Sequence, residues 1–105
     1  MTISIYILRL EHGKFYVGAS TDAVKASQEH VEGLGPFWTQ IHRPLQLLDV
    51  AKGKKQEELD QYVKMTMRKH GIENVRGGSW EQARLSGADR HSLRAELGDS
   101  SCVLA

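Results

Sequence analysis

Two tyrosines and a glycine near the start of the chain are spaced for joint chemistry. Residues 3–10 read Ile-Ser-Ile-Tyr-Ile-Leu-Arg-Leu, and residues 14–19 read Lys-Phe-Tyr-Val-Gly-Ala. The alternation of Ile3, Ile5 and Ile7, with the β-branched content, predicts two strands. Glu11-His12-Gly13 between them fits a three-residue hairpin loop with Gly13 in the left-handed conformation. That loop length sets Leu10 opposite Lys14, Leu8 opposite Tyr16, Ile7 opposite Val17 and Tyr6 opposite Gly18. Tyr6, Tyr16 and Gly18 then share one face, and the Ile, Val and Phe set takes the other. A two-residue loop would put the tyrosines on opposite faces. Two phenols on one face are each donor and acceptor, and Gly18 leaves room for backbone or substrate to approach. The plainer reading is that strands favour aromatic residues.

Other chemistry is written further along. Cys102-Val103-Leu104-Ala105 is a C-a-a-X pattern with a terminal alanine typical of farnesyl attachment. The single cysteine of the chain sits at the position that this modification uses. Prenylation at Cys102 would give weak, reversible membrane association, since neither a polybasic segment nor a second cysteine reinforces one lipid chain. Asn74-Val75-Arg76-Gly77-Gly78-Ser79 reads in two ways. It is a phosphate-facing element whose glycines expose N–H groups, or a structural link with positive φ at those glycines. Lys52, Lys54 and Lys55 read as a solvated basic turn. Trp38 and Trp80 read as core residues, and His12, His42 and His70 lack metal-ligand spacing.

Helices and a further strand must position these groups. Ser20-Thr21-Asp22 supplies N-caps for a helix over 23–32 that stops at Gly33. Val24, Ser27 and Val31 form one stripe of it, Ala26 and His30 a neighbouring one, and Lys25 with Glu29 an exposed i,i+4 pair. Leu45, Leu47, Leu48 and Val50 suggest a third strand. Residues 56–70 predict a helix that buries Leu59, Tyr62, Val63, Thr66 and Met67 and ends at Gly71. Residues 72–78 read as irregular. Ser79 and Gln82 make a capping-box pattern for a helix from Trp80, and a short helix over 89–97 precedes a frayed tail.

Composition bounds the function. The chain has 105 residues, 14 basic and 13 acidic, for a net charge of +1. That size is one domain, and that charge excludes a cationic surface that would grip any nucleic acid. No apolar run is long enough to span a membrane, and the N-terminus lacks signal-peptide features. One cysteine excludes an internal disulfide framework and a thiolate zinc cluster, and points to an intracellular, reducing compartment.

Ser4-Ile5-Tyr6, nine intervening residues, then Tyr16-Val17-Gly18 resembles the paired signature of the GIY-YIG nuclease superfamily, with Ser4 and Val17 as departures. Asp22, Gln28, Glu29 and His30, then Trp38-Thr39, Pro44 and the third strand, follow in the order of that family. Lys69-His70-Gly71-Ile72-Glu73-Asn74-Val75-Arg76-Gly77-Gly78-Ser79 is similar to a segment of its short single-domain members. The resemblance covers residues 3–80. It implies an α/β fold with a small three-stranded antiparallel sheet flanked by helices. Residues 1–85 would form this domain and residues 86–105 a partly flexible C-terminal extension.

The resemblance also implies hydrolysis of DNA phosphodiester bonds, on duplex or branched DNA, with one Mg²⁺ or Mn²⁺. Tyr6 and Tyr16 match the family's two tyrosines, and a tyrosine can deprotonate water once a nearby cation lowers its pKa. His30 matches a histidine near the scissile phosphate, where it would donate to a phosphate oxygen or orient Tyr16. A plainer role for His30 is a helix-end histidine favoured by the dipole. The family's arginine falls on Ala26. Lys25 is adjacent but points about a quarter-turn away, can pair with Glu29 and lacks the bidentate fork, which leaves Arg43, Arg9 or Arg76 as substitutes from elsewhere in space. Glu58 is the candidate metal acid. Glu57, Glu58 and Asp60 are equally explained as first-turn acids that complement a helix dipole. Two functions follow. One is a catalytically degenerate relative that serves as a binding module or a subunit of a protein assembly. The other is an active metal-dependent endonuclease.

Overall fold

Alternating apolar residues sort the first twenty residues onto two faces, and the sheet is built on that sorting. In the structure, a computed structural model that describes residues 2–98, β1 (Ile3–Leu10) and β2 (Phe15–Ser20) form an antiparallel hairpin. Its register pairs Leu8 with Tyr16, Ile7 with Val17 and Tyr6 with Gly18, as the loop length requires. The loop is one 3-10 turn, Glu11–Gly13. Gly13 is left-handed as expected, and so is His12, at φ 66°.

α1 (Ala23–Val31) starts at Asp22, whose side chain accepts from the backbone N–H of Lys25. It buries Ala23, Ala26 and His30, while the Val24 and Val31 side of the helix faces solvent. A short α2 (Phe37–Ile41) follows Pro36, and β3 (Pro44–Lys54) returns along the outer edge of β1. α3 (Leu59–His70) follows a 3-10 turn and buries Leu59, Val63, Thr66 and Met67. Tyr62, also predicted inside, is partly buried against the same core.

The family resemblance implies a three-stranded antiparallel sheet, and the structure corrects this. The sheet has four strands in the order β3-β1-β2-β4 and is mixed, because β4 (Val75–Gly77) lies parallel to β2. A strand of three residues that ends in glycine carries too little alternation to be read, which is why 72–78 looks irregular. The helix predicted from Trp80 does not form. Gly77 and Trp80 exchange two backbone hydrogen bonds of 2.8 Å, and Asp60 takes both the N–H and the hydroxyl of Ser79. The capping residue is thereby committed elsewhere. α4 (Gly87–Leu97) begins at Ser86, whose side chain accepts from the Asp89 N–H.

Two apolar clusters line the two sides of the sheet. Ile5, Val17 and Val75 pack with Leu59, Val63 and Met67 of α3, with Leu85 just before α4, and with Leu93 of α4. Tyr6, Leu8, Leu10 and Tyr16 pack on the other side with Ala23 and Ala26 of α1 and Trp38 of α2. Both tyrosines therefore face α1. No helix among the described residues is long and apolar enough to cross a membrane.

Candidate functional site

The hairpin register carries the tyrosines to α1, and the face of α1 decides what they meet. Tyr6 Oη lies 2.9 Å from His30 Nε2, and His30 Nδ1 lies 3.0 Å from Thr39 Oγ1. Thr39 Oγ1 donates to the carbonyl of Pro36 at 3.1 Å. That last bond fixes the direction of the chain. The Thr39 proton is committed, so His30 Nδ1–H donates to Thr39, His30 Nε2 accepts, and Tyr6 donates to it. His30 is thus neutral and wholly satisfied. Burial lowers its pKa, against an opposing pull from Glu81 and Glu29.

Tyr16 completes a three-ring cluster, with its ring centroid 4.8 Å from that of His30 and 6.3 Å from that of Tyr6. Its hydroxyl donates to the carboxylate of Glu81, in the segment after β4. Burial above all, then the negative charges of Glu81 and Glu29, push the Tyr6 pKa up to about 12. Burial, followed by the hydrogen bond and charge of Glu81, raises that of Tyr16 still further. The charges acting on both phenols are acids, so each phenol is held neutral.

Gly18 has a steric role here. A Cβ on it would lie 2.4 Å from Tyr6 Oη and 2.8 Å from Tyr16 Cε2. The space that the sequence assigned to an approaching backbone or substrate is filled by the protein's own phenols. Gly35 similarly clears His30, where a Cβ would come within 2.2 Å of Nδ1.

A cleft of about 490 Å³ opens beside Tyr16, between the end of β2, the start of α3 and the turn after β4. Tyr16, Gly18, Glu57, Asp60, Ser79 and Glu81 line it, and among the described residues no lysine, arginine or histidine stands in its wall. Tyr6 and His30 lie behind it, buried.

The arginine and lysine candidates go elsewhere. Arg76 is 1 % exposed. Its guanidinium donates to the carbonyls of Gln82 (2.7 Å), Ile72 (2.9 Å), Val75 (2.7 Å) and Ala83 (3.2 Å). It also lies 4.5 Å from the Trp38 ring centroid. Its sheet position beside Tyr16 fits a phosphate ligand, but these bonds make it an internal staple. The staple holds Gln82 and Ala83, and so fixes the segment that presents Glu81. Arg43 donates through Nη2 to the carbonyl of Val31 at 3.3 Å, at the C-terminal end of α1. Lys25 is exposed and lies outside the cleft wall. Ala26 packs among the tyrosines, where it brings no charge.

Glu58 also points away. Its carboxylate accepts the backbone N–H of Lys55 at 3.0 Å and closes its own turn, as first-turn acids do. Glu57 and Glu81 line the cleft instead. No group of three His, Cys, Asp or Glu is poised to hold a metal among the described residues. Mg²⁺ and Mn²⁺ are hard ions, and Mg²⁺ needs only one or two carboxylates when water and substrate oxygens supply the rest, so Glu57 and Glu81 fit such an ion chemically. Cys102 lies outside the described residues.

Sequence reasoning missed Glu81 and Thr39. Trp38-Thr39 drew attention only as a pair in the right order. Nothing in Trp80-Glu81-Gln82 announces a partner for Tyr16, because that contact spans 65 positions. Compared with known proteins, the chain matches no family model, no curated protein and no solved structure.

Proposed function

We propose that the chain is a GIY-YIG-like domain whose hydrolytic chemistry is disarmed and which works as a binding module or assembly subunit. One observation carries this reading: Tyr16 donates to Glu81 at a cleft whose wall, among the described residues, holds acids and no cation. A tyrosine acts as a base toward water only when a positive charge lowers its pKa, and here burial and Glu81 raise it. An acidic wall also repels a phosphodiester before any chemistry begins. With Ala26 at the arginine position, nothing in the cluster offsets charge on a phosphate. Exposed Val31, Leu34, Phe37 and Ile41 favour a protein partner over a polyanion.

The test is an endonuclease assay with Mg²⁺ and Mn²⁺ on duplex, branched and single-stranded DNA. Wild type, Tyr16→Phe, and Ala26→Arg combined with Glu81→Gln are compared. The proposal expects no cleavage by wild type and cleavage emerging in the double variant. Metal-dependent cleavage by wild type that Tyr16→Phe abolishes would overturn it.

A second reading, an active endonuclease, is favoured by the convergence of Tyr6, Tyr16 and His30 within one cluster. Glu81, with Glu57, would then hold Mg²⁺ or Mn²⁺, which supplies positive charge for the phosphate and leaving oxygens. Tyr16 would orient that carboxylate, and His30 would keep Tyr6 in place. The wild-type assay decides between the two.

A further inference from the structure

Away from the tyrosines, the hairpin loop joins two imidazoles that lie 30 positions apart in sequence. His12 Nδ1 is 2.9 Å from His42 Nδ1, and the rings meet edge to face at an interplanar angle of 72°. Only one of those facing nitrogens holds the proton between them, so the other directs a lone pair along the same line.

The pair is held from both sides. The backbone N–H of Glu11 donates to the carbonyl of Arg43 at 2.9 Å, and the N–H of Arg43 donates to Glu11 Oε1 at 3.0 Å. This two-way clamp fixes the residues next to His12 and His42. His12 itself is the only non-glycine residue with positive φ among the described residues, at 66°. Histidine tolerates that conformation better than most residues, but it remains uncommon. The ring of His42 rests against Trp38, with centroids 4.6 Å apart.

We propose that His12 and His42 form a two-imidazole chelate for a borderline divalent ion such as Zn²⁺, with water completing its coordination. Tetrahedral zinc with Zn–N bonds of about 2.0–2.1 Å sets its nitrogens about 3.3 Å apart. The two Nδ1 atoms therefore need to part by only a few tenths of an ångström, and the rings must turn by about 35° so that both lone pairs converge on the ion. On binding, the ring that carries Nδ1–H changes tautomer, and its proton moves to Nε2. Two neutral imidazoles then give two lone pairs with no net proton release. Glu11 brings a negative charge to the same junction, set against the positive charges of Lys14 and Arg76 near His42, so the chelate rests on the two imidazoles and not on the local field. Two ligands fixed in one geometry bind far more tightly than either alone, because the second attachment is intramolecular.

The test is calorimetric titration of Zn²⁺ into the full chain carrying Cys102→Ser, at about pH 7.5, where histidine is mostly neutral. The proposal expects one equivalent bound. His12→Asn and His42→Asn should each weaken binding about tenfold or more, and His91→Asn should leave it unchanged. Asparagine keeps the left-handed loop accessible at position 12. Long-range imidazole ¹H–¹⁵N spectra of the chain with both histidines give a readout that needs no loop variant. Zn²⁺ should shift His12 and His42 together. No binding, binding that survives both loop variants, or shifts confined to other histidines would overturn the proposal.

Discussion

A phenol that donates to a carboxylate behaves unlike a phenol beside a cation. Tyr16 is the first kind and Tyr6 is tied to a neutral imidazole, so neither supplies a tyrosinate near neutral pH. The chain has three tyrosines, and Tyr62→Phe leaves only this pair. In that variant, the absorbance of tyrosinate should stay absent through about pH 10, where an ordinary phenol is half ionised. It should appear only as the pH nears about 12 or the fold opens, in line with the pKa of Tyr6. Half-ionisation of either tyrosine at about pH 10 would contradict the assigned contacts. At this scale the sequence told much. The loop length alone placed Tyr6, Tyr16 and Gly18 on one face. It could not tell that Gly18 accommodates the phenols themselves, or that Arg76 is turned inward. Side-chain direction at those positions is set by carbonyls and rings from distant segments.

Pairing along β4 depends on backbone proximity that only glycine permits. Gly77 has φ 147°, and a Cβ there would meet the Val17 carbonyl oxygen at 2.0 Å. Gly77→Ala should therefore cost about 3 kcal/mol of unfolding free energy, since both strain and a backbone clash oppose it. Gly53→Ala is the control, with φ 70° but nothing within 4 Å, and should cost about 1 kcal/mol from conformation alone. Urea unfolding of the two variants checks the difference, and equal losses would mean that β4 does not approach β2 so closely. The longer elements were legible because their periodicity extends over several turns or residues: β1, β2, α1 and α3 lie within a few residues of their expected spans. β4 and α2 were not, being three and five residues long. Ser79 misled for a different reason. Its capping pattern is local, whereas Asp60 competes for it from another helix.

α4 belongs to the body of the molecule. Leu93 is 1 % exposed and joins the cluster built by α3 and the sheet. Leu93→Ala should cost about 2–5 kcal/mol, because the surrounding residues belong to other elements and cannot all close on the void. Thermal or urea denaturation measures this, and a loss below about 0.5 kcal/mol would mean that α4 only rests on the surface. The Lys64–Glu96 ion pair, between α3 and α4, adds little to that attachment because it is open to solvent. The mixed sheet has a consequence for the order in which the molecule is made. Residues 15–17 pair with residues 75–77, so β2 waits for most of the chain to be synthesised before its outer edge is covered. The β1–β2 hairpin closes through a short loop and can form early, whereas the β2–β4 contact must enclose all that lies between. Tyr16 accordingly spends the early part of translation without Glu81. A nascent chain halted before β4 carries the tyrosine pair on a half-covered hairpin, and only the last third of the polypeptide converts it into a cleft.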